Sequence, residues 1–343
     1  MNEDVANEQI APVRLLVELG LADPEDVRSV EPLTGGVASD IHVVDLGDRK
    51  VCTKFALEKL RVERDWRVPV TRNRAEYAWL EFAGRVVPGS APRVLGRLDA
   101  LDGFAMEMLE GPDVRNWKAS LMSGHGTDGE AARVARCLVQ FHAASSCRDF
   151  DRAGFENMPL FSSIRLEPYI ESTAELLPEV GDRLVALSDA LKRSEACLIH
   201  GDVSPKNILF RGNHPVFLDA ECATMGDPVF DVAFCLNHLM LKSVHLPMRA
   251  PGLAREASAF WSNYRSGLAW EDRDAFERRA ASLLPALMIC RVLGKSPVEY
   301  LSSHAQQQVL DIAIPLVRAP VASLNEVFQL VTDIREVERD EHH

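Results

Sequence analysis

The amino-acid sequence predicts an α+β protein with two lobes: a small lobe with a five-stranded antiparallel sheet and one main helix, and a larger, mainly helical lobe. Two observations support this fold class. Between residues 30 and 111, five short apolar runs are typical of strands, and one amphipathic helix separates the third run from the fourth. Beyond residue 110 the apolar spacing is mainly helical.

The small lobe is expected over residues 28–109, after a helical N-terminal extension over residues 1–27. In the extension, helical spacing ends at Gly20, and Asp23 before Pro24 predicts a second short helix. The main helix of the lobe is expected over residues 71–84, and the five strands over 30–33, 40–45, 50–56, 92–98 and 103–111.

The large lobe is expected over residues 110–343. His142 lies in one of its helical patterns and is expected to be a packed core residue rather than a catalyst. We assign no mechanism to the segment 294–300. The expected helices cover 114–122, 131–144, 158–175, 178–193, a segment that starts at Pro228, and roughly 250–268, 273–293 and 305–335.

Residues 197–219 combine three short apolar strands with polar side chains at the strand ends. The loop between the first two strands carries Asp202 and Asn207, and Asp219 follows the third strand. Such a frame is suited to holding metal and proton-transfer ligands at a cleft. The five-residue spacing, with an Asp on the next strand, is the layout of the base and the two magnesium ligands in a kinase catalytic loop.

We therefore predict that Asp202 is the base, or at least the group that orients an acceptor hydroxyl. Asn207 and Asp219 are predicted to bind Mg²⁺, which prefers hard oxygen donors. His200 is expected to support the loop by hydrogen bonding to backbone. Gly201 is expected to allow a tight backbone geometry.

Two further residues of this stretch have open roles. Lys206 could screen the transferring phosphate, or it could be a solvent-facing loop lysine. Glu221 could bind a second metal through water, or it could order the end of the strand.

The pattern His200-Gly-Asp with Asn207, followed by Asp219, resembles the motif of the aminoglycoside phosphotransferase and choline kinase family, which are kinase-like small-molecule phosphotransferases. The resemblance covers about residues 30–240. It implies a bilobal protein-kinase-like fold with ATP and Mg²⁺ as cofactors. Asp219-Ala-Glu stands where ordinary protein kinases carry Asp-Phe-Gly, which separates the chain from them.

In this family a Gly-Asp-Pro-x-x-Asp segment follows the metal-binding Asp, and residues 226–231 match it. The resemblance implies that its second Asp accepts hydrogen bonds from the backbone of the catalytic loop. Asp227 and Asp231 are therefore expected to be structural support.

Lys54 lies inside the apolar run 50–56 and is expected to need a partner, because an unpaired buried charge is costly. A kinase-like lobe places a lysine there to hold the α- and β-phosphates of the nucleotide, braced by a Glu of the next helix. By the resemblance we choose Glu76 for that role and expect Glu81 to be solvated. The alternative places Lys54 on the exposed face of its strand.

Two backbone segments are expected to contact the nucleotide. Gly35 and Gly36, between the first two strands, could let backbone amides approach a phosphate, although a plain hairpin turn explains them as well. In kinase-like folds the hinge after the fifth strand meets the adenine edge. The resemblance therefore implies that role for Glu107, Met108 and Leu109.

The composition excludes several classes of partner. A formal net charge of −13 argues against nucleic acid and anionic membranes, and it is compatible with a cationic substrate. No apolar run reaches the roughly 20 residues of a membrane span, and no secretory signal is visible at the start. Seven scattered cysteines without a Cys-x-x-Cys pair indicate reduced thiols and a cytoplasmic protein, expected as a monomer or homodimer.

The leading hypothesis is an ATP- and Mg²⁺-dependent kinase that phosphorylates a hydroxyl of a small molecule. Aminoglycoside-like, amino-sugar, choline-like and methylthioribose-like acceptors all fit the resemblance. The alternative is a nucleotide-binding pseudokinase with a regulatory role. A metal hydrolase is disfavoured because the chain lacks the several histidines that such sites generally need.

Overall fold

The computed structural model describes residues 3–340 apart from 34–37, 60, 62–66 and 125–128. It has the predicted α+β architecture, with a five-stranded antiparallel sheet followed by a mainly helical lobe. The helices are α1 Glu3–Glu18, α2 Arg72–Val86, α3 Trp117–Ser123, α4 Glu130–Ser145, α5 Met158–Phe161, α6 Ser172–Leu176, α7 Pro178–Arg193, α8 Val229–His245, α9 Ala250–Gly267, α10 Arg273–Leu293, α11 Ser303–Arg318 and α12 Leu324–Asp340. The strands are β1 Ser29–Pro32, β2 Ser39–Asp45, β3 Lys50–Ala56, β4 Val94–Leu98, β5 Gly103–Glu107, β6 Val114–Asn116, β7 Cys197–Ile199, β8 Ile208–Arg211, β9 His214–Phe217 and β10 Thr224–Gly226.

The five-stranded sheet has the order β1-β2-β3-β5-β4, and all neighbouring strands are antiparallel. Alternate residues of a strand face opposite sides of a sheet. In the central strand β3, Val51 faces α1, where it shares an apolar cluster with Leu15 and Leu16. Lys54 faces the other side, toward α2. The period of two therefore places one lysine of an apolar strand against the main helix.

Helix α2 joins the sheet to the helical lobe. Its Trp79 is 1% exposed and meets Phe141 of α4 and His200 at ring-centroid distances of 5.3 and 4.7 Å, with nearly perpendicular rings. Its Tyr77 meets Phe104 of β5 at 5.8 Å. Edge-to-face aromatic pairs of this kind stabilise beyond their buried area. One helix thus contributes to the core of both lobes.

The helical lobe is built around α8, which is buried along nearly its whole length and packs against α9, α10, α11 and α12. The helical lobe also contains two small antiparallel sheets. One has the order β6-β8-β9, and the other pairs β7 with β10. These strands carry the loops of the predicted site.

The predicted bounds of two helices are wrong in part. Residues 114–116 form strand β6 rather than helix, because they pair with β8, and α3 begins only at Trp117. The single helix expected over 305–335 is two helices, α11 and α12. Pro320 lies in the break, where it lacks a backbone donor and disfavours helical geometry in the residue before it. Ser323 then accepts a bond from Glu326 N at 3.2 Å, as helix-initiating residues do.

A π-helical segment, Ser162–Glu171, lies between α5 and α6. The expected helix over 158–175 is therefore continuous but locally widened. Pro168 lies inside this segment, and π-helical turns are frequent at functional sites.

The chain leaves the five-stranded sheet after β5, and β6 already pairs with a strand of the helical lobe. The lobe boundaries at 27/28 and 109/110 stay predictions. None of the helices described is long and apolar enough to cross a membrane. All seven cysteines are free.

Replacing Trp79 by Ala should destabilise the protein by about 3–5 kcal/mol, because it leaves a cavity in the core that both lobes share. Chemical denaturation of the variant measures this loss. Met248→Ala, at a side chain that is 81% exposed, is the control and should change the free energy of unfolding by less than about 0.5 kcal/mol. A loss for Trp79→Ala as small as that of the control would contradict the packing described.

Candidate active site

Lys54 lies in the cleft between the lobes and contacts two carboxylates. Its Nζ is 2.7 Å from Oε1 of Glu76 on α2 and 2.6 Å from Oδ1 of Asp219, which follows β9. The Lys54 and Glu76 side chains are buried, whereas a third of the Asp219 side chain stays exposed to the cleft. The structure therefore brings together three residues that the sequence singled out separately. Glu81 is exposed, as expected.

The two carboxylates of this cluster differ in how strongly their pKa values favour the ionised form. Burial opposes the charge on Lys54, but Asp219 and Glu76 outweigh it and raise the pKa of its ammonium. Burial also opposes ionisation of Asp219, yet Lys54 and Lys206 lower its pKa. Burial raises the pKa of Glu76 to about 7 in spite of Lys54 beside it. Asp219 is therefore the stronger anionic partner of the lysine.

A second ion pair connects α2 to the strand end that carries Asp219. Nε of Arg72 is 3.0 Å from Oε2 of Glu221, and both side chains are buried. Arg72 also donates to four backbone carbonyls, among them those of Ala38 and Leu57. Arg72 and Glu76 are four apart and share one face of α2. Of the two roles open for Glu221, this pairing favours ordering of the strand end.

Asp231 of α8 holds the loop after β7 through the backbone. Its two oxygens accept hydrogen bonds from His200 N at 2.7 Å and Gly201 N at 2.8 Å. His142 Nε2 lies 3.3 Å from the same carboxylate, and its Nδ1 lies 2.8 Å from the Tyr264 hydroxyl, so the ring is a buried structural group. Asp227, by contrast, contacts its own helix start at Val229 N and the guanidinium of Arg279.

The loop geometry depends on His200 and Gly201. His200 Nδ1 accepts from Asp202 N at 3.1 Å, so Nε2 carries the proton and donates to Leu218 O at 3.1 Å. Burial lowers the pKa of His200, which favours this neutral ring. Gly201 has φ +78°, and a Cβ there would lie 2.7 Å from Cys222 Cβ. The loop thus requires glycine at this position.

Asp202 is buried and lies between two cations. Arg165 of the π-helical segment donates to Asp202 Oδ2 at 2.9 Å and to Gly201 O at 2.9 Å. Lys206 Nζ lies 3.5 Å from Asp202 Oδ2. Burial opposes ionisation, but Lys206 and Arg165 outweigh it and lower the pKa of Asp202. The carboxylate is therefore ionised and oriented at neutral pH. Lys206 lies beside Asp202 with more than half of its side chain exposed.

Asn207 and Asp219 have the donor chemistry that Mg²⁺ needs. Asn207 Nδ2 donates to Asp202 O at 3.2 Å, which leaves its amide oxygen available. Asp219 follows β9 with φ +66°, a strained conformation of the kind that occurs at functional sites. In the described part of the chain no group of three or more His, Cys, Asp or Glu side chains could hold a metal by itself. Mg²⁺ commonly binds one or two carboxylates together with substrate phosphates, so these residues fit the ion.

The three hinge residues after β5 differ in their hydrogen bonding. Glu107 is engaged: its side chain accepts from Arg93 N and Arg211, and its N–H donates to Arg93 O. The hydrogen bonds found among the described residues use no main-chain group of Met108 or Leu109. Gly35 and Gly36 lie outside the described residues.

Two arginines of the site were not anticipated. Arg165 and Arg72 are 37 and 149 residues from their carboxylate partners. The signal that the sequence offered was an arginine on the buried stripe of each helical pattern, where a charge needs a partner.

The fold and this cleft define a kinase-like phosphotransferase. Comparison with known families agrees: residues 29–270 match the model of the phosphotransferase enzyme family, APH, and the chain belongs to that family. It is accordingly a small-molecule kinase by class. No curated protein matches the sequence.

Several solved structures share the fold at low sequence identity. An amicoumacin kinase in complex with AMP-PNP, Ca²⁺ and its ligand has a TM-score of 0.58 at 14% identity, over 96% of this chain and 100% of that one. The choline kinase LicA of Streptococcus pneumoniae has 0.53 at 16% identity, over 92% and 99%. An ethanolamine kinase of Plasmodium vivax has 0.53 at 14% identity, over 94% and 92%.

Replacing Arg165 by Met should raise the pKa of Asp202, because one of the two cations that stabilise its carboxylate is lost. If the ionised carboxylate is the active form, the pH below which activity falls should be about 1–3 units higher than in the wild type. The acid limb of the kcat/KM profile measures this. Arg165→Lys keeps the charge and should stay near the wild type, and Arg152→Met, which removes an exposed arginine, should leave the profile unchanged. An acid limb that does not move in Arg165→Met would contradict the coupling.

Proposed function

We propose that the protein transfers the γ-phosphoryl group of ATP to a hydroxyl of a small molecule, with Mg²⁺. The observation that carries the proposal is the joining of Lys54, Asp219 and Asp202 in one cleft. Lys54 contacts Asp219 at 2.6 Å, and Leu218 N donates to Asn207 O at 2.9 Å, which ties the Asp219 strand to the loop of Asp202. Family membership supports the reaction class. The similar amicoumacin kinase was solved with a nucleotide analogue and a divalent cation, which supports the cofactors.

In the proposed reaction the chain's residues bind, orient and neutralise charge. Lys54, braced by Glu76, holds the α- and β-phosphates, and the main-chain groups of Met108 and Leu109 bind the adenine edge. Asp202, ionised and fixed by Arg165, accepts a hydrogen bond from the acceptor hydroxyl and places its oxygen in line with the γ-phosphorus. The hydroxyl oxygen forms the new P–O bond, the bond to the β–γ bridging oxygen breaks, and Asp202 takes the proton.

Asn207 and Asp219 would hold the metal. When bound, Mg²⁺ neutralises phosphate charge and positions the phosphoryl group. Asn207 contributes an oxygen without a further negative charge beside the triphosphate.

The acceptor is proposed to be a small molecule with a free hydroxyl. Choline-, amino-sugar-, aminoglycoside- and methylthioribose-like compounds are the classes that the family resemblance suggests. Choline and ethanolamine kinases are among the similar structures. The net charge of −13 adds only that a cationic acceptor is compatible with the whole chain.

Replacing Asp202 by Ala should lower kcat by about 10²–10⁴-fold for any acceptor that the wild type uses, because the proton acceptor is lost. ATP affinity should stay within a few-fold of the wild type. ADP formation with MgATP across a panel of hydroxyl compounds measures turnover, and calorimetry measures binding. The control is Asp189→Ala, an exposed aspartate of α7, which should retain full activity.

The same experiment decides between the two hypotheses for the chain. ATP binding without turnover of any acceptor by the wild type would favour the regulatory pseudokinase. Absence of nucleotide binding would overturn the proposed function itself.

A further inference from the structure

A group of basic side chains lies in the helical lobe, mainly on α8 and α10. We call it the basic pocket and define it by His238 and Lys242 of α8 and Arg291 of α10, with Lys206 and Lys118 at its edge. His238 and Lys242 are four apart and share one face of α8. They are 6% and 1% exposed, which is unusual for such groups.

The three central basic groups have neutral partners only. Lys242 Nζ donates to His238 O at 3.4 Å and lies 5.1 Å from the centre of the Tyr300 ring. Arg291 donates to the Tyr169 hydroxyl at 3.1 Å and to Ser296, and its guanidinium lies over the Tyr169 ring. Within the described ranges no salt bridge joins His238, Lys242 or Arg291 to a carboxylate.

Two polar atoms of this region are also buried without a hydrogen-bond partner among the described residues, Nε of Arg291 and the hydroxyl of Tyr300. Native proteins leave few buried polar atoms unpaired, and each one calls for a reason. A bound ligand that supplies acceptor oxygens is such a reason.

The electrostatics agree with basic groups that lack a counter-charge. Burial, together with Lys118, lowers the pKa of Lys242 to about 7. Burial also lowers the pKa of His238, with Lys242, Arg291 and Lys206 acting in the same direction. The carboxylate that acts on Lys242 from nearby, Glu299, is mostly exposed and is paired with Lys118.

The basic pocket is connected to Asp202 through the π-helical segment. Tyr169 follows Arg165, which binds Asp202, by four residues, so the two share a face of that segment. The Tyr169 ring lies 6.0 Å from Phe234, and Phe234 lies 5.2 Å from His238. Lys206, 3.5 Å from Asp202, also lowers the pKa of His238. The residues that hold Asp202 and those of the basic pocket are therefore linked by packed side chains.

We infer that the acceptor carries an anionic group, a carboxylate or a phosphate, that binds at the basic pocket while its hydroxyl meets Asp202. The inference rests on the proposed function and names the substrate class of the same site. An anion would supply the counter-charge and the acceptor oxygens that the pocket lacks. A cationic acceptor would meet repulsion here, although the chain as a whole is strongly acidic. The charges nearest the acceptor matter more than the net charge of the chain, because buried charges are screened far less than those on the surface.

Four small hydroxyl compounds of similar size test the inference: ethanolamine, glycerol, glycerate and glycerol 3-phosphate. Their binding is measured by thermal unfolding at constant ionic strength without nucleotide. The two anionic compounds should raise the Tm of the wild type by about 2–5 °C more than the other two. The difference between glycerate and glycerol 3-phosphate separates a carboxylate pocket from a phosphate pocket.

Lys242→Met and Arg291→Met should weaken binding of the anionic compound at least about tenfold. Lys242→Met should also raise the Tm of the ligand-free protein, because a buried unpaired lysine is replaced by an apolar side chain of similar size. A purely structural lysine would give no such opposite changes in stability and binding. The control is Lys192→Met, which removes a partly exposed lysine of α7 that is already paired with Glu171 and should respond to anions as the wild type does.

The outcomes separate the two proposals. Equal Tm shifts for all four compounds, or equal shifts in the wild type and in both pocket variants, would overturn the anionic acceptor. Turnover with MgATP that favours ethanolamine over the anionic compounds would overturn it as well and leave the proposed function intact. Anion binding at the pocket in a protein that binds no MgATP would overturn the proposed function alone.

Discussion

The ammonium of Lys54, placed between Glu76 and Asp219, is the contact on which the cleft depends. It joins the central strand of the sheet, the main helix and the strand end of the helical lobe in one buried cluster. A buried cation without such partners would be expelled or neutralised. Because its partners come from both lobes, the same contact that satisfies the lysine also sets the distance between Lys54 and the loop of Asp202.

The helical lobe supports this contact by fixing backbone as well as side chains. Asp231 accepts two backbone hydrogen bonds of the loop, and Gly201 leaves room for Cys222. Arg165 donates a hydrogen bond to the Asp202 carboxylate. Each of these groups is buried, so each would be costly to leave unpaired. The loop is thus pre-organised, and the proposed chemistry requires little movement of Asp202 when the acceptor binds.

Much of the fold could be predicted from the sequence because its signals are local. The period of two in β3, the stripe of α2 and the spacing of Asp202 and Asn207 are each visible within about fifteen residues. Strand β6 was missed because only its pairing with β8, almost a hundred residues later, makes it a strand. The break between α11 and α12 was visible in Pro320, but the apolar periodicity on both sides outweighed it in the prediction.

The missed parts of the site have the same cause. Arg165 and Arg72 lie on buried helical stripes, but the sequence does not show which carboxylates they meet, because those come from distant elements. Net charge does not describe local charge either. A value of −13 is a property of the whole chain, whereas two cations, Arg165 and Lys206, lie beside Asp202.

The most direct test of the account is the affinity for ATP with and without Mg²⁺, measured by calorimetry in the wild type and in Asp219→Asn. If the Lys54–Asp219 cluster holds MgATP, the wild type should bind ATP at least about tenfold more tightly with Mg²⁺, and the variant should lose most of that difference. A wild type whose ATP affinity is independent of Mg²⁺, or a variant with an undiminished difference, would contradict it.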